Sequence, residues 1–321
     1  MKNEQKKIFN ISIISYIAVQ TILILVGLIF LVIHLASRKT WDENGALVSM
    51  SAGNIAMIYI LFILGFLIIA VLQAGYVIMM MLEKEGQLKK LIFSILLLNV
   101  VGIVYSSFEI KEWNSNIGYL KPKKWTIYEM CYVGLLLSLY LLVNFISGYI
   151  PPMPFWITIS FKYIFLYVGA YLLNFWACLT LCVLAASLTA VMPGTAVLSP
   201  VQYLFDYWFV TVSFALASLF KPADNIKNKY VEAANYITFI TIPMICVYVS
   251  RVLSGVLFWL NPKVYTSVYY DFEWNGAWTY SMIFNAFNTI FDYATLLILV
   301  PPTCKVMKIV KDRQTSWNKV R

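Results

Sequence analysis

Residues 281–296 read SMIFNAFNTIFDYATL, an apolar run interrupted by Ser281, Asn285, Asn288 and Asp292. Their intervals of four, three and four residues place them on one face of a helix. Polar groups facing hydrocarbon lack partners, and an ionisable one at mid-bilayer costs about 2.5 to 3.5 kcal/mol even on lenient scales, so the stripe must point inward. It predicts a bundle of membrane helices with a polar interior.

The whole chain supports a membrane setting. Of 321 residues, 61% are hydrophobic and only 12% charged, with a mean hydropathy of +0.77; soluble proteins carry about a quarter charged residues. This is the composition of a multi-pass protein of the cell membrane. The net charge of +9 sits in short basic segments between apolar runs, which set orientation and meet anionic lipid rather than nucleic acid. Five cysteines fall in or beside apolar runs, and the local pair C178-L-T-L-C182 reads as small buried side chains. The single histidine, His34, has no cluster of ligands or acids near it in sequence. We therefore expect no metal, no cofactor and no enzymatic activity. No G-x-x-x-x-G-K-[ST] loop occurs, so the chain cannot drive transport by hydrolysing ATP itself. The first apolar run is too long for a cleaved signal and is read as a retained span.

Runs able to cross a hydrocarbon core of about 30 Å lie near 8–36, 50–82, 127–148, 200–219, 236–260 and 277–304. A shorter run covers 91–107, and 155–192 can hold two short helices turning at Asn174, a residue that tolerates left-handed backbone. The sum is about nine crossings. The most polar break, 109–126, contains EIKEWNSNIGYLKPKKW. It divides a transmembrane extension, 1–110, from a six-helix part, 127–310, with 111–126 as linker and 311–321 as a basic cytoplasmic tail. Lysines 121, 123 and 124, lysines 221, 227 and 229, and the basic tail share one side if the six-helix part has six crossings, and that side is cytoplasmic. GYIPPMPFW, MPGTAVLSP and NPKVYTSVYYDFEWNGAW are then external. Three crossings from a cytoplasmic amino terminus would put Lys121–Lys124 outside. Either the amino terminus is external or 91–107 does not cross.

Intramembrane ionisable residues in the six-helix part are Lys162, Asp206, Arg251 and Asp292. Helical phase gathers others around them: Arg251, Gly255 and Trp259 on one span, Tyr203, Asp206 and Tyr207 on another, and Tyr280, Ser281 and Asn285 on the last. Aromatic faces with a few convergent polar groups suit a small, flat, preferably cationic heteroaromatic ligand. Trp274 and Trp278 fit an interfacial aromatic belt instead. Asn288 and Asp292 lie deeper and are assigned to helix packing or to Arg251.

YLFDYWFVTVSFALASLFK, SRVLSGVLFW and GAWTYSMIFNAF, in that order, resemble the fourth, fifth and sixth helices of the thiamine-specific S component of energy-coupling factor (ECF) transporters. IYEMCYVGLLLSLYLLVNFISGYIPPMPFW resembles that family's first helix and first external loop. The resemblance covers residues 127–310 and none of the first 110. It implies an all-α membrane protein: a six-helix S-component-like bundle, here preceded by about three extra transmembrane helices. It also implies a subunit that captures a vitamin outside the cell and works with a transmembrane coupling subunit and two cytoplasmic ATPases.

Carried over by position, the resemblance implies that Asp206 and Tyr207 hold the aminopyrimidine end of thiamine. Trp259 would stack on the ligand, with Gly255, Tyr280, Asn285 and the loop residue Trp156 around it; helical phase alone adds Ser281 to the substrate-binding set. Asp206 stands where the family has glutamate, and Arg251 where it has histidine. Arginine is permanently charged; it could pair with Asp206, or bind the phosphate of a thiamine ester or an acidic group on another vitamin. Gly134 and Ser138 form the small-residue pair where the family docks on its coupling subunit. Rival readings are an assembly subunit without a small ligand, a membrane enzyme, and a secondary transporter, for which no inverted symmetry is found.

Overall fold

The computed structural model describes residues 3–42, 44–82, 87–109, 124–222, 226–264, 270–273 and 276–320. Most of the expected linker 111–126, Lys121, Lys123, Trp274 and the terminal Arg321 lie outside the described residues. The protein is an all-α membrane protein; among the described residues, six helices are long and apolar enough to cross a bilayer.

Two of those form the extension, α1 (Asn3–Ala36) and α2 (Ala52–Leu82), joined by a hairpin of β1 (Lys39–Trp41) and β2 (Leu47–Ser49). The run at 91–107 is not a third span. It breaks into α3 (Gln87–Leu96) and α4 (Val100–Glu109), ten residues each. Ten residues rise about 15 Å, half the hydrocarbon core. Leu98 turns the chain with φ 52°, and Asn99 Oδ1 accepts from Gly102 N at 2.9 Å to start α4. The turn is held against α1: Gln20 Nε2 donates to Leu97 O and Tyr16 Oη to Leu98 O. The two short helices pack on each other as a hairpin, and a hairpin of this length does not cross the core; two crossings by the extension would put the basic segments on the same side as the amino terminus.

The six-helix part comprises α5 (Ile127–Ser147), α6 (Tyr163–Leu172), α7 (Phe175–Thr189), α8 (Pro200–Phe220), α9 (Lys229–Trp259) and α10 (Ala277–Val320). Four of these starts, those of α5, α7, α8 and α9, are capped by a local side chain. Thr126 and Glu129 make a reciprocal capping box on α5, and Ser199 caps α8 ahead of Pro200. Asn174 does mark the turn between α6 and α7, but for a different reason from the left-handed backbone expected. Its backbone is extended, φ −72° and ψ 167°, and its Oδ1 accepts from Ala177 N as a helix cap.

Tyr167, Phe214, Phe239 and Leu166 fill the core of the bundle, together with Cys178 and Cys182. The extension packs on its far side through α2, where Met79 meets Thr238 and Gly75 admits Ile237 of α9. Gly134 and Ser138 of α5 remain exposed, with nothing within 4 Å of a Cβ built on Gly134.

Because α6 is only ten residues long, it covers about half the bilayer. The other half is covered by the irregular segment 157–162, which descends from the first external loop into the bundle. If the extension crosses twice, a cysteine replacing Asn44 is labelled by an impermeant maleimide on intact cells, and one replacing Lys124 only after permeabilisation. The background for this test lacks the five native cysteines. External labelling at 124 would overturn the assignment.

Candidate functional site

Non-helical backbone at membrane depth must find hydrogen-bond partners inside the protein. The lower half of the polar stripe supplies them. Asn288 Oδ1 accepts from Thr158 N at 3.3 Å, and Asp292 Oδ1 from Ser160 N at 2.9 Å. Asp292 Oδ2 pairs with Arg251 Nη2 at 2.8 Å, with Asp292 only 2% exposed. Arg251 therefore pairs with Asp292 rather than with Asp206.

Above this floor lies a cavity of about 820 Å³. Trp156, Asp206, Tyr207, Arg251, Gly255, Trp259, Tyr280, Ser281 and Asn285 all line it. Two helices lose their regular turn at this level: Leu204–Trp208 in α8 and Gly255–Trp259 in α9 are single π-helical turns. A π-turn takes in an extra residue and re-aims the side chains around it, a device frequent at functional sites. Here it lets the two helices meet through one carboxylate. Trp259 Nε1 and Gln202 Nε2 each donate to Asp206 Oδ2 at 2.8 Å. Asp206 Oδ1 makes no hydrogen bond among the described residues.

The remaining residues take distinct places. A Cβ on Gly255 would lie 2.1 Å from Ser281 Oγ, so the gap expected there is filled by close approach of α10. Ser281 Oγ donates to Val252 O at 2.9 Å, and Asn285 Nδ2 turns back to Ser281 O and Oγ at 3.0 and 3.1 Å. Tyr207 Oη accepts from Ala196 N at 3.1 Å and so holds the loop between α7 and α8. Tyr203 stacks on Tyr207 and donates to Ala186 O, outside the cavity lining. Trp278 is exposed and also outside it.

Pro193, Gly194, Thr195 and Ala196 of that loop form part of the cavity wall. Gly194, at φ 76°, rests on Gly148 at the end of α5; a Cβ on Gly148 would lie 2.2 Å from Pro193 O. Trp156 stands at the rim, 61% exposed. It follows Phe155 in a turn where both residues are left-handed, φ 58° and 56°. That conformation costs a non-glycine residue about 1 to 2 kcal/mol. Burying Phe155 against Phe272 and Phe287 returns a similar amount, about 1.5 to 3 kcal/mol.

Sequence reasoning did not single out Asn144, Asp271 or Gln202, and it left Lys162 and Asn288 out of the ligand set; all but Gln202 line the cavity. Asp271, in the external loop before α10, accepts from Tyr280 Oη at 3.1 Å and gives its N–H to the same oxygen at 2.7 Å. Burial pushes its carboxyl above the usual carboxylate range, against the lowering effect of hydrogen bonds from Tyr280 and Trp156. A lone asparagine in an apolar span was the signal for Asn144; Asp271 had none.

Asp292→Asn keeps an acceptor for Ser160 but leaves Arg251 buried without its counter-charge. The expected loss is about 3 to 5 kcal/mol, read as a lower thermal midpoint in detergent. Arg251→Gln combined with Asp292→Asn should lose less than Asp292→Asn alone, and strictly additive losses would show that the pair is uncoupled.

A family model described as thiamine transporter protein (Thia_YuaJ) matches residues 130–311. Among solved structures, ThiT from Listeria monocytogenes is similar at 19% identity and a TM-score of 0.44, over 56% of this chain and 94% of that one. No curated protein matches the chain. The family model spans more than half of the sequence and all of the helices around the cavity, and the chain belongs to the thiamine transporter protein (Thia_YuaJ) family.

Proposed function

We propose that this chain is the substrate-capture subunit of an ECF-type uptake system, binding thiamine or a close relative from outside the cell. The observation that carries the reading is the Asp206 carboxylate, fixed by Trp259 and Gln202 through one oxygen, its other oxygen unbonded among the described residues, on the lining of a cavity that also holds Trp259, Tyr207 and Tyr280. Since Arg251 is neutralised by Asp292, the charge of Asp206 remains available to a cationic heteroaromatic ligand. Trp259 and Trp156 offer ring faces for stacking, and Tyr207, Tyr280, Ser281 and Asn285 add polar contacts along the same wall. Burial of flat apolar surface supplies about 25 cal/mol per Å², and the polar groups set orientation.

The lid is the paired loop system joined at Gly148 and Gly194. Energy for release into the cell would come from two partner ATPases through a coupling subunit, as the chain has no phosphate loop of its own. The exposed Gly134 and Ser138 face is the docking surface for that coupling subunit, because small residues let helices approach closely. The extension packs on α9 and α10 and leaves this face open.

Thiamine should quench the tryptophan fluorescence of the purified chain saturably, and Asp206→Asn should weaken binding about 10- to 100-fold. No quenching and no thermal stabilisation at micromolar thiamine would sink the capture reading. In cells that also express the coupling module, Ser138→Trp should abolish uptake while leaving thiamine binding by the purified chain unchanged; retained uptake would remove the α5 face from the assignment.

A further inference from the structure

The floor of the cavity carries more positive charge and more hydrogen-bond donors than its own residues satisfy. Lys162 stands at the N-terminal end of α6, at membrane depth, and forms no ion pair among the described residues. Its Nζ donates to Asn144 Oδ1 at 2.7 Å and lies 5.6 Å from the centre of the Tyr163 ring. Arg251 and Asp292, close enough to act on Lys162 electrostatically, cancel each other and leave one net positive charge. The positive end of the α6 dipole adds to it.

Two donors there have no acceptor among the described residues: Asn144 Nδ2, on a side chain only 5% exposed, and Arg251 Nη1. Both residues line the cavity beside Lys162. A buried cation with unmet donors around it is costly unless an anion completes the set. The same cavity is also lined by two carboxylates, Asp206 and Asp271. Arg251 and Trp259, which bonds Asp206, are eight residues apart on α9, a rise of about 12 Å.

We propose that this floor is an anion subsite, and that the ligand is a zwitterion: a flat cationic heteroaromatic whose tail carries a phosphate monoester. The inference rests on the capture reading above and sharpens its substrate. A free hydroxyl tail would offer the floor lone pairs without charge. A phosphate brings negative charge and three strong acceptor oxygens, enough for Lys162 Nζ, Asn144 Nδ2 and Arg251 Nη1 together. The aminopyrimidine end stays near Asp206, and the phosphate on the thiazolium side chain reaches the floor.

The test compares thiamine with thiamine monophosphate by tryptophan quenching of the purified full-length chain, with inorganic phosphate as control. The monophosphate should bind at least about tenfold more tightly than thiamine. Lys162→Gln should erase that preference while changing thiamine affinity little, and Lys162→Arg should preserve it. Weaker binding of the monophosphate than of thiamine by the wild-type chain would overturn the anion subsite and leave the capture reading standing. So would a preference that Lys162→Gln does not alter in a protein of unchanged thermal midpoint. If neither ligand quenches, the capture reading fails and the subsite with it. The wild-type comparison decides the matter even where a variant does not fold.

Discussion

Everything near the cavity depends on how the segment 157–162 is allowed to enter the membrane. Its backbone is not helical, so its N–H groups cannot be satisfied within the segment. Asn288 and Asp292 accept from Thr158 and Ser160, and this lets the first external loop descend halfway through the bundle before α6 begins. The short α6 then leaves space above it. The polar stripe on α10 thus has two tasks: its lower half supports the descending chain, and its upper half, Ser281 and Asn285, borders the space that the descent creates.

The second constraint is the pair of π-turns. In regular α-helices, α8 and α9 would present Asp206 and Trp259 with a different aim; the additional residue in each turn brings the indole N–H onto the carboxylate. The bond does more than position one side chain. It fixes the ring plane of Trp259 and the orientation of Asp206 at once, so the two groups that face a flat cation are set before any ligand arrives. Arg251, two helical turns below, is kept out of this arrangement by Asp292.

Much of this was legible because it is periodic. Arg251, Gly255 and Trp259 repeat every four residues, and Ser281, Asn285, Asn288 and Asp292 alternate fours and threes, so one helical phase places each set on one wall. What was not legible depends on tertiary packing. A π-turn leaves no compositional mark, so LFDYW and GVLFW read as ordinary helix. The Leu97–Leu98–Asn99 turn is apolar apart from one asparagine, and the run around it passes for a span; only Asn99 with Gly102 three residues on hinted at a new helix start. Lys162 was visible as a charge in an apolar run, but its place on the cavity floor follows from how far 157–162 descends. Asn174 shows the intermediate case, where the position of the turn was readable and its mechanism was not.

The contact of Gly148 with Pro193 and Gly194 has an evolutionary consequence. The two external loops touch backbone to backbone, with no side chain between them to absorb a change. Any larger residue at either site would act as a wedge and reshape both loops together. Variation among relatives should therefore reach these loops only in concert, as a matched pair, while residues elsewhere on either loop drift independently.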